Sequence, residues 1–172
     1  MEETTRTDPF LKHFESLIDE SQIDKQTTKK TTEISSLSLG SCQFTSNSSV
    51  IPPVLPCSTT DLSSFAIKKS LLSNIQSSGS QLTSLQLDFF SLIHNYYDVY
   101  YPNRPNTGDH GEQLRFVICL HLINHVLKTR TRILAHNAKL KENPDLDYQD
   151  QGFARPKVLI IVPFRESVRR II

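Results

Sequence analysis

The residues with the clearest potential for chemistry lie in a glycine-containing loop that leads into an apolar segment. The loop reads NTGDHGEQ over residues 106–113, and the apolar pattern after it predicts a helix over residues 112–128. Backbone amides at such a helix start can hold an anion. A working nucleotide-binding loop reads GxxxxGK[ST], in which the lysine reaches the terminal phosphates and the hydroxyl holds magnesium.

This loop keeps its glycines but lacks the lysine and the hydroxyl. Gly108 and Gly111 have a plausible spacing, whereas Glu112 and Gln113 stand at the lysine and Ser/Thr positions. A carboxylate at that point would repel phosphates. An ordinary glycine–aspartate turn that caps a helix accounts for the same residues. We therefore expect no catalytic residues, no enzyme activity and no cofactor here.

The metal-binding residue types do not form a convincing site. Cys42, Cys57 and Cys119 are odd in number and contain no CxxC pair, so neither a disulfide framework nor a zinc ribbon is predicted. His121 and His125 have the i, i+4 spacing of zinc ligands, but the glutamate of HExxH and a third ligand are missing. We expect no metal.

Bulk charge and hydropathy exclude some partners. The formal net charge is +1, so RNA contacts must come from local basic patches. The longest aliphatic run, residues 158–162, is far short of a membrane span, and we expect no membrane partner. The hydrophobic fraction of 37% is below that of ordinary globular domains, and the shortfall lies in the first half of the chain.

Three regions are predicted from the pattern along the chain. Residues 1–20 form a short amphipathic helix with Asp8 as N-cap and Pro9 in its first position. Its apolar side either packs on the chain's own domain or binds in a partner's groove. The candidate partner-docking residues are Phe10, Phe14, Leu17 and Ile18.

Residues 21–81 are rich in Ser and Thr and are predicted to be a largely disordered linker, with spacing over 62–75 that suits a transient helix. Residues 82–101 are dense in aromatic and aliphatic side chains and predict a buried helix of about four turns that ends before Pro102. The aromatic side chains suit core packing, and a base-stacking surface for RNA is the alternative.

The aliphatic residues 158–162 are bounded by Pro156 and Pro163, which is typical of a strand buried on both faces of a parallel sheet. Parallel strands need partner strands and helices, and the chain ends at Ile172, soon after that strand. We therefore expect residues 82–172 to be the start of a longer α/β domain.

Several motifs of the second half resemble a known family. NYYDVYYP over residues 95–102, GEQLR over 111–115, HVLKTR over 125–130 and DQGFARPKVLIIVPFRES over 150–167 are similar to the digestive organ expansion factor family, the U3 small nucleolar RNA-associated protein 25 family. The order of glycine loop, helix and PFRES also resembles the first half of a DEAD-box RecA domain. The resemblance implies an incomplete RecA-like, P-loop NTPase-type parallel-sheet domain with a degenerate phosphate loop at Gly108, Gly111, Glu112 and Gln113.

The resemblance further implies a non-catalytic scaffold of the small-subunit processome in the nucleolus. Its implied partners are U3 snoRNA, pre-18S rRNA and processome proteins, and its role is 18S pre-rRNA processing. Phe164, Arg165 and Glu166 then lie at the RNA-facing end of the strand as candidate RNA contacts. An active RNA-dependent NTPase and a truncated chain without a function of its own remain the alternatives.

Overall fold

The computed structural model describes residues 8–15, 29–47, 55, 61–79, 81–102, 108–148 and 156–171. Within these ranges the chain is a mixture of helices and strands. The helices are α1 (Pro9–Glu15), α2 (Lys69–Ser77), α3 (Ser84–His94), α4 (Asp109–Glu142) and α5 (Arg165–Arg169), with a short 3-10 helix at Leu62–Ser64. The strands are β1 (Lys29–Ser36) and β2 (Gly40–Asn47).

The core forms where α3 packs against the first half of α4. Phe90 and Val117 are fully buried at its centre, and Leu114 is 1% exposed. Phe65 meets Phe90 edge to face with ring centroids 5.1 Å apart. The prediction that the aromatic residues of 82–101 pack in a core is therefore confirmed for Phe89 and Phe90, whereas Tyr100 is 88% exposed.

Helix α3 begins at a capping box, which explains why the change from polar to apolar residues near position 82 starts a helix. The amide of Gln86 donates to the Thr83 hydroxyl, and the Gln86 side chain accepts from the Thr83 amide at 3.0 Å. The helix ends at His94, earlier than predicted, because Tyr96 takes φ 60° and the chain leaves the helical path.

The segment predicted to be a disordered linker contains an antiparallel hairpin. β1 pairs with β2 in a register that opposes Ser36 to Gly40. Along β1 the more buried side chains alternate with exposed ones, as a half-covered strand requires, although many of them are Ser or Thr. Gly40, the first residue of β2, follows the three-residue loop and has φ 79°, a conformation that glycine adopts without steric cost.

A buried carboxylate fixes the hairpin to the helical core. Asp88, on α3, is 1% exposed and accepts hydrogen bonds from the hydroxyls of Ser36 at 2.6 Å and Ser38 at 2.5 Å. Phe44 also meets Tyr97 edge to face at 5.4 Å. The Ser/Thr composition concealed this hairpin because its order depends on a distant residue of α3.

Residues 61–77 also form regular structure inside the predicted linker. Leu62 and Ile67 are part of the core, and α2 follows, as the helical spacing indicated. Asn124 of α4, which is 3% exposed, accepts from the Lys68 amide at 3.0 Å and donates to the Ala66 carbonyl at 3.3 Å. One buried amide side chain therefore connects this segment to α4.

Helix α4 has 34 residues and extends well past the predicted end at residue 128. Its buried residues lie between Gly111 and Thr129, so the second half projects from the core. Within the described part of the chain, no helix is long and apolar enough to cross a membrane.

The predicted parallel strand does not form in the described residues. Residues 158–162 lie in no strand, and Leu159 and Ile161 are 82% and 84% exposed. Among the described residues the only sheet is the hairpin, so no strand lies beside 158–162 to receive its backbone hydrogen bonds. An apolar run specifies a buried strand only where neighbouring strands and helices are present to cover it.

Candidate functional site

The predicted phosphate loop forms the start of α4. Gly108 is the N-cap with φ 81°, and Gly111, Glu112 and Gln113 lie inside the first two turns of the helix. Gly111 is buried, whereas the Glu112 side chain is 58% exposed.

The Glu112 carboxylate is paired with two guanidinium groups. It accepts from Arg115 one turn along α4 and from Arg170, just after α5, at 3.5 Å. The Arg115 side chain is only 15% exposed, so this pair lies against the protein surface rather than in open solvent. Acidic residues are also favourable in the first turns of a helix because their negative charge is attracted to the positive end of the helix dipole.

Gln113 holds two helices together. Its side-chain oxygen accepts from the Thr83 hydroxyl at 2.8 Å, and its backbone carbonyl accepts from the Gln86 amide group at 3.3 Å. The capping box of α3 is therefore hydrogen-bonded to the start of α4. This structural role gives a reason for glutamine at this position.

A pocket of about 520 Å³ lies beside these residues. Glu112, Gln113, Arg115 and Arg170 form its polar side, and Leu82 and Phe116 are among its apolar lining residues. Residues of the predicted phosphate loop and of the segment that contains α5 therefore line the same pocket.

The candidate RNA-contacting residues lie at the start of α5. Phe164 is the N-cap and is 71% exposed, and Arg165 is also exposed. Glu166 pairs with Arg169 at 3.9 Å and with Arg170 at 3.5 Å. Because Arg170 also pairs with Glu112, the structure brings the end of this segment, but not Phe164 or Arg165, to the phosphate loop.

The candidate docking residue Phe10 packs on the chain's own α4. It is 4% exposed and meets His125 edge to face at 5.8 Å. Asp8 caps α1 through the Phe10 amide at 3.0 Å, as predicted, and also pairs with Lys128 at 2.5 Å. Of the other docking candidates, the Phe14 side chain, Leu17 and Ile18 lie outside the described residues.

A group of histidines, of which the sequence singled out only His121 and His125, surrounds Tyr96. His13 of α1 stacks on the Tyr96 ring at 4.2 Å, and His121 meets it edge to face at 5.1 Å. The Tyr96 hydroxyl is 2.9 Å from Nδ1 of His125. The ring of His94, at the end of α3, meets that of His121 edge to face with centroids 6.5 Å apart. Only the i, i+4 spacing of His121 and His125 signalled this group in the sequence.

Burial governs the titration of this group. It lowers the pKa of His94 to about 4, and the charge of Lys128 acts in the same direction. Burial and the neighbouring His125 likewise lower the pKa of His121 to about 4. Burial, followed by the charge of Asp8, raises the pKa of Tyr96 to about 12. Among the described residues, no group of three or more His, Cys, Asp or Glu side chains could hold a metal ion.

Comparison with known proteins gives consistent matches. The family model described as UTP25, NTP hydrolase-like domain matches residues 96–172. The Homo sapiens U3 small nucleolar RNA-associated protein 25 homolog is 36% identical over 183 residues, which cover 96% of this chain and 24% of the relative. The Schizosaccharomyces pombe U3 small nucleolar RNA-associated protein 25 is 35% identical over 176 residues, which cover 93% of this chain and 26% of the relative.

The chain thus spans about a quarter of the length of these curated relatives. No solved structure matches it. The matches agree with the motifs of the second half and also include residues before position 96. They agree with the resemblance that the motifs predicted: residues 96–172 match the family model described as UTP25, NTP hydrolase-like domain, and most of the chain is similar to U3 small nucleolar RNA-associated protein 25 relatives.

Proposed function

We propose that the chain is part of a ribosome-biogenesis factor that acts as a non-catalytic scaffold of the small-subunit processome. In this proposal it associates with U3 snoRNA, pre-18S rRNA and processome proteins in the nucleolus and supports 18S pre-rRNA processing. The names of the relatives, which are U3 small nucleolar RNA-associated proteins, support this assignment.

The observation that carries the non-catalytic part is the pairing of Glu112. In an active loop, the lysine at this position would neutralise the terminal phosphates. Here a carboxylate occupies the position, and two cations that could otherwise bind phosphate, Arg115 and Arg170, are paired with it. A nucleotide would have to displace this arrangement and approach a negative charge, which is unfavourable.

The order of elements supports a RecA-like domain. The glycine-containing start of α4, the helix itself, the aliphatic residues 158–162 and α5 follow one another in the helix–strand–helix order that an α/β domain repeats. We propose that residues 82–172 begin this domain and that residues 158–162 pair with further strands in the complete protein. Leu159 and Ile161 are largely exposed, so this segment is accessible to further strands.

We further propose that Phe164 and Arg165 contact RNA. Arg165 offers a guanidinium group to phosphate, and the exposed ring of Phe164 offers a face on which a base can stack. Both side chains face solvent, so they can bind without rearrangement of the core.

The experiment is affinity purification of the tagged chain from nucleolar extract, with U3 snoRNA quantified against an unrelated small nuclear RNA. We expect enrichment of U3 snoRNA, with a loss of fivefold or more, about 1 kcal/mol, for the double variant Phe164→Ala, Arg165→Glu. Lys29→Glu, an exposed charge change in the hairpin, is the matched control and should retain binding. Absence of enrichment for the unchanged chain contradicts the scaffold assignment.

An active NTPase is the second candidate, because the matching family model is described as NTP hydrolase-like. A magnesium-dependent hydrolysis assay on the chain, with Glu112→Gln as the variant, separates the two. We expect no turnover above buffer for either protein. Turnover that Glu112→Gln abolishes would establish the NTPase instead.

A further inference from the structure

The histidine group lies where α1 contacts the rest of the molecule. α1 contributes His13, α3 ends with His94, and α4 contributes His121 and His125. Tyr96, just after α3, touches three of these four rings, with centroid distances of 4.2 Å, 5.1 Å and 5.8 Å. We call these five residues the histidine cluster. The cluster therefore connects the docking of a seven-residue helix to the middle of α4.

The charges that face the histidine cluster are mostly positive. Lys128 of α4 adds its ammonium group, and Lys157 acts on His125 from the segment before α5. Asp8 is a carboxylate that acts on His94 and Tyr96, and it is already paired with Lys128. A proton added to His121 is therefore opposed by the neighbouring positive charge of Lys128 and by the nearby His125 and His13.

The backbone at Tyr96 is held in an unusual conformation. Its φ of 60° is rare for a residue other than glycine and costs about 1–2 kcal/mol. Such a conformation persists where surrounding contacts impose it, and the stacking on His13 and the hydrogen bond to His125 are those contacts. Loss of the His13 contact when α1 leaves would remove part of what holds Tyr96 in place.

We propose that the histidine cluster is a pH-sensitive latch for α1. With His121 and His125 neutral, α1 is docked through Phe10, His13 and the Asp8–Lys128 pair. With His121 and His125 protonated, repulsion among the clustered cations releases α1 and uncovers the Phe10-binding surface of α4.

The direction of the effect follows from burial. His121 has its pKa lowered to about 4 in the docked state, and an exposed histidine titrates near 6.5. Docking is therefore at full strength above pH 6.5 and weakens as the pH falls towards 4. If release restores the ordinary pKa, the ratio of released to docked α1 rises about 30-fold for His121 alone between pH 7.5 and pH 5.0. His125, whose pKa burial also lowers, adds to this.

The test is NMR on the 172-residue chain from pH 7.5 to pH 5.0. Cross-relaxation between the Phe10 and His125 rings, 5.8 Å apart, reports docking, and that between Phe65 and Phe90, 5.1 Å apart, reports the core. We expect the first signal to disappear with falling pH while the second persists. The double variant His13→Phe, His121→Gln, which keeps a ring on Tyr96, should retain the first signal at pH 5.0.

His136→Gln is the matched control, because His136 also lies on α4 but stacks on Tyr148, 3.9 Å away, rather than on α1. This control should release α1 like the unchanged chain. The proposal is overturned if the Phe10–His125 signal does not change with pH, if both signals disappear together, or if the double variant releases α1 as readily as the control does.

Discussion

Replacement of His94 by Phe should stabilise the protein, which is unusual for a change in a core. His94 is 4% exposed, and both of its ring nitrogens are buried without a hydrogen-bond partner. An unpaired buried polar group costs about 1–3 kcal/mol. The ring stacks on Phe90 at 5.1 Å and meets Phe65 edge to face at 5.5 Å, contacts that a phenyl ring can keep.

The expected change in the free energy of unfolding follows from two opposing contributions and from the titration of His94. Loss of the unpaired nitrogens is favourable, and the larger ring costs about 1 kcal/mol in packing, which leaves a gain of about 1 kcal/mol at pH 7. The pKa of His94 is lowered to about 4, so the folded state resists protonation. Its contribution to stability is complete above pH 6.5 and falls by about 2 kcal/mol at pH 5. The variant does not suffer this loss.

Urea unfolding followed by circular dichroism at 222 nm measures both effects. We expect the free energy of unfolding of His94→Phe to exceed that of the unchanged chain by about 1 kcal/mol at pH 7 and by about 3 kcal/mol at pH 5. His136→Phe, in the half of α4 that projects from the core, is the control and should change stability by less than about 0.5 kcal/mol. A His94→Phe variant that is less stable at pH 7, or whose advantage does not grow at pH 5, refutes the reasoning.

Three further changes test the contacts that assemble the fold, each by urea unfolding at pH 7. Asp88→Ala removes the acceptor of the Ser36 hydroxyl and should cost about 2–4 kcal/mol, with increased amide exchange in the hairpin; unchanged exchange would show that the hairpin is held otherwise. Thr83→Ala removes the capping hydroxyl of α3 and should cost about 1 kcal/mol, whereas Thr83→Ser should cost less. Asn124→Leu leaves the Lys68 amide without its acceptor and should cost about 2 kcal/mol; a neutral result would mean that water replaces the side chain.

The elements that could be predicted are those whose cause is local. Asp8 and Pro9 indicated the start of α1, because a carboxylate suits the N-cap and a proline suits the first helical position. Phe89 and Phe90 indicated the core because large apolar side chains leave water wherever a partner surface exists. In each case the neighbouring residues were sufficient to predict the element. The motifs that resemble the family could be identified for the same reason, because each is a continuous stretch of sequence.

The elements that escaped prediction depend on distant residues. The hairpin has small polar side chains and gains its order from Asp88, about 50 residues along the chain. The aliphatic residues 158–162 showed the opposite failure, because a strand pattern forms no sheet when, as among the described residues, no strand lies beside it. The exact end of α3 depended on the contacts that hold Tyr96 at a positive φ.

The sequence by itself determined the resemblance to the UTP25 family and the identities of the residues at the loop, including the glutamate where a lysine would bind phosphate. Only the tertiary structure decided that Glu112 contacts Arg170, because Arg170 lies 58 positions away along the chain. The same holds for the histidine cluster, whose members come from three helices and the turn after α3. Residue types follow from the chain alone, whereas charge pairing and burial, which set the pKa of a buried histidine, exist only once distant segments pack together.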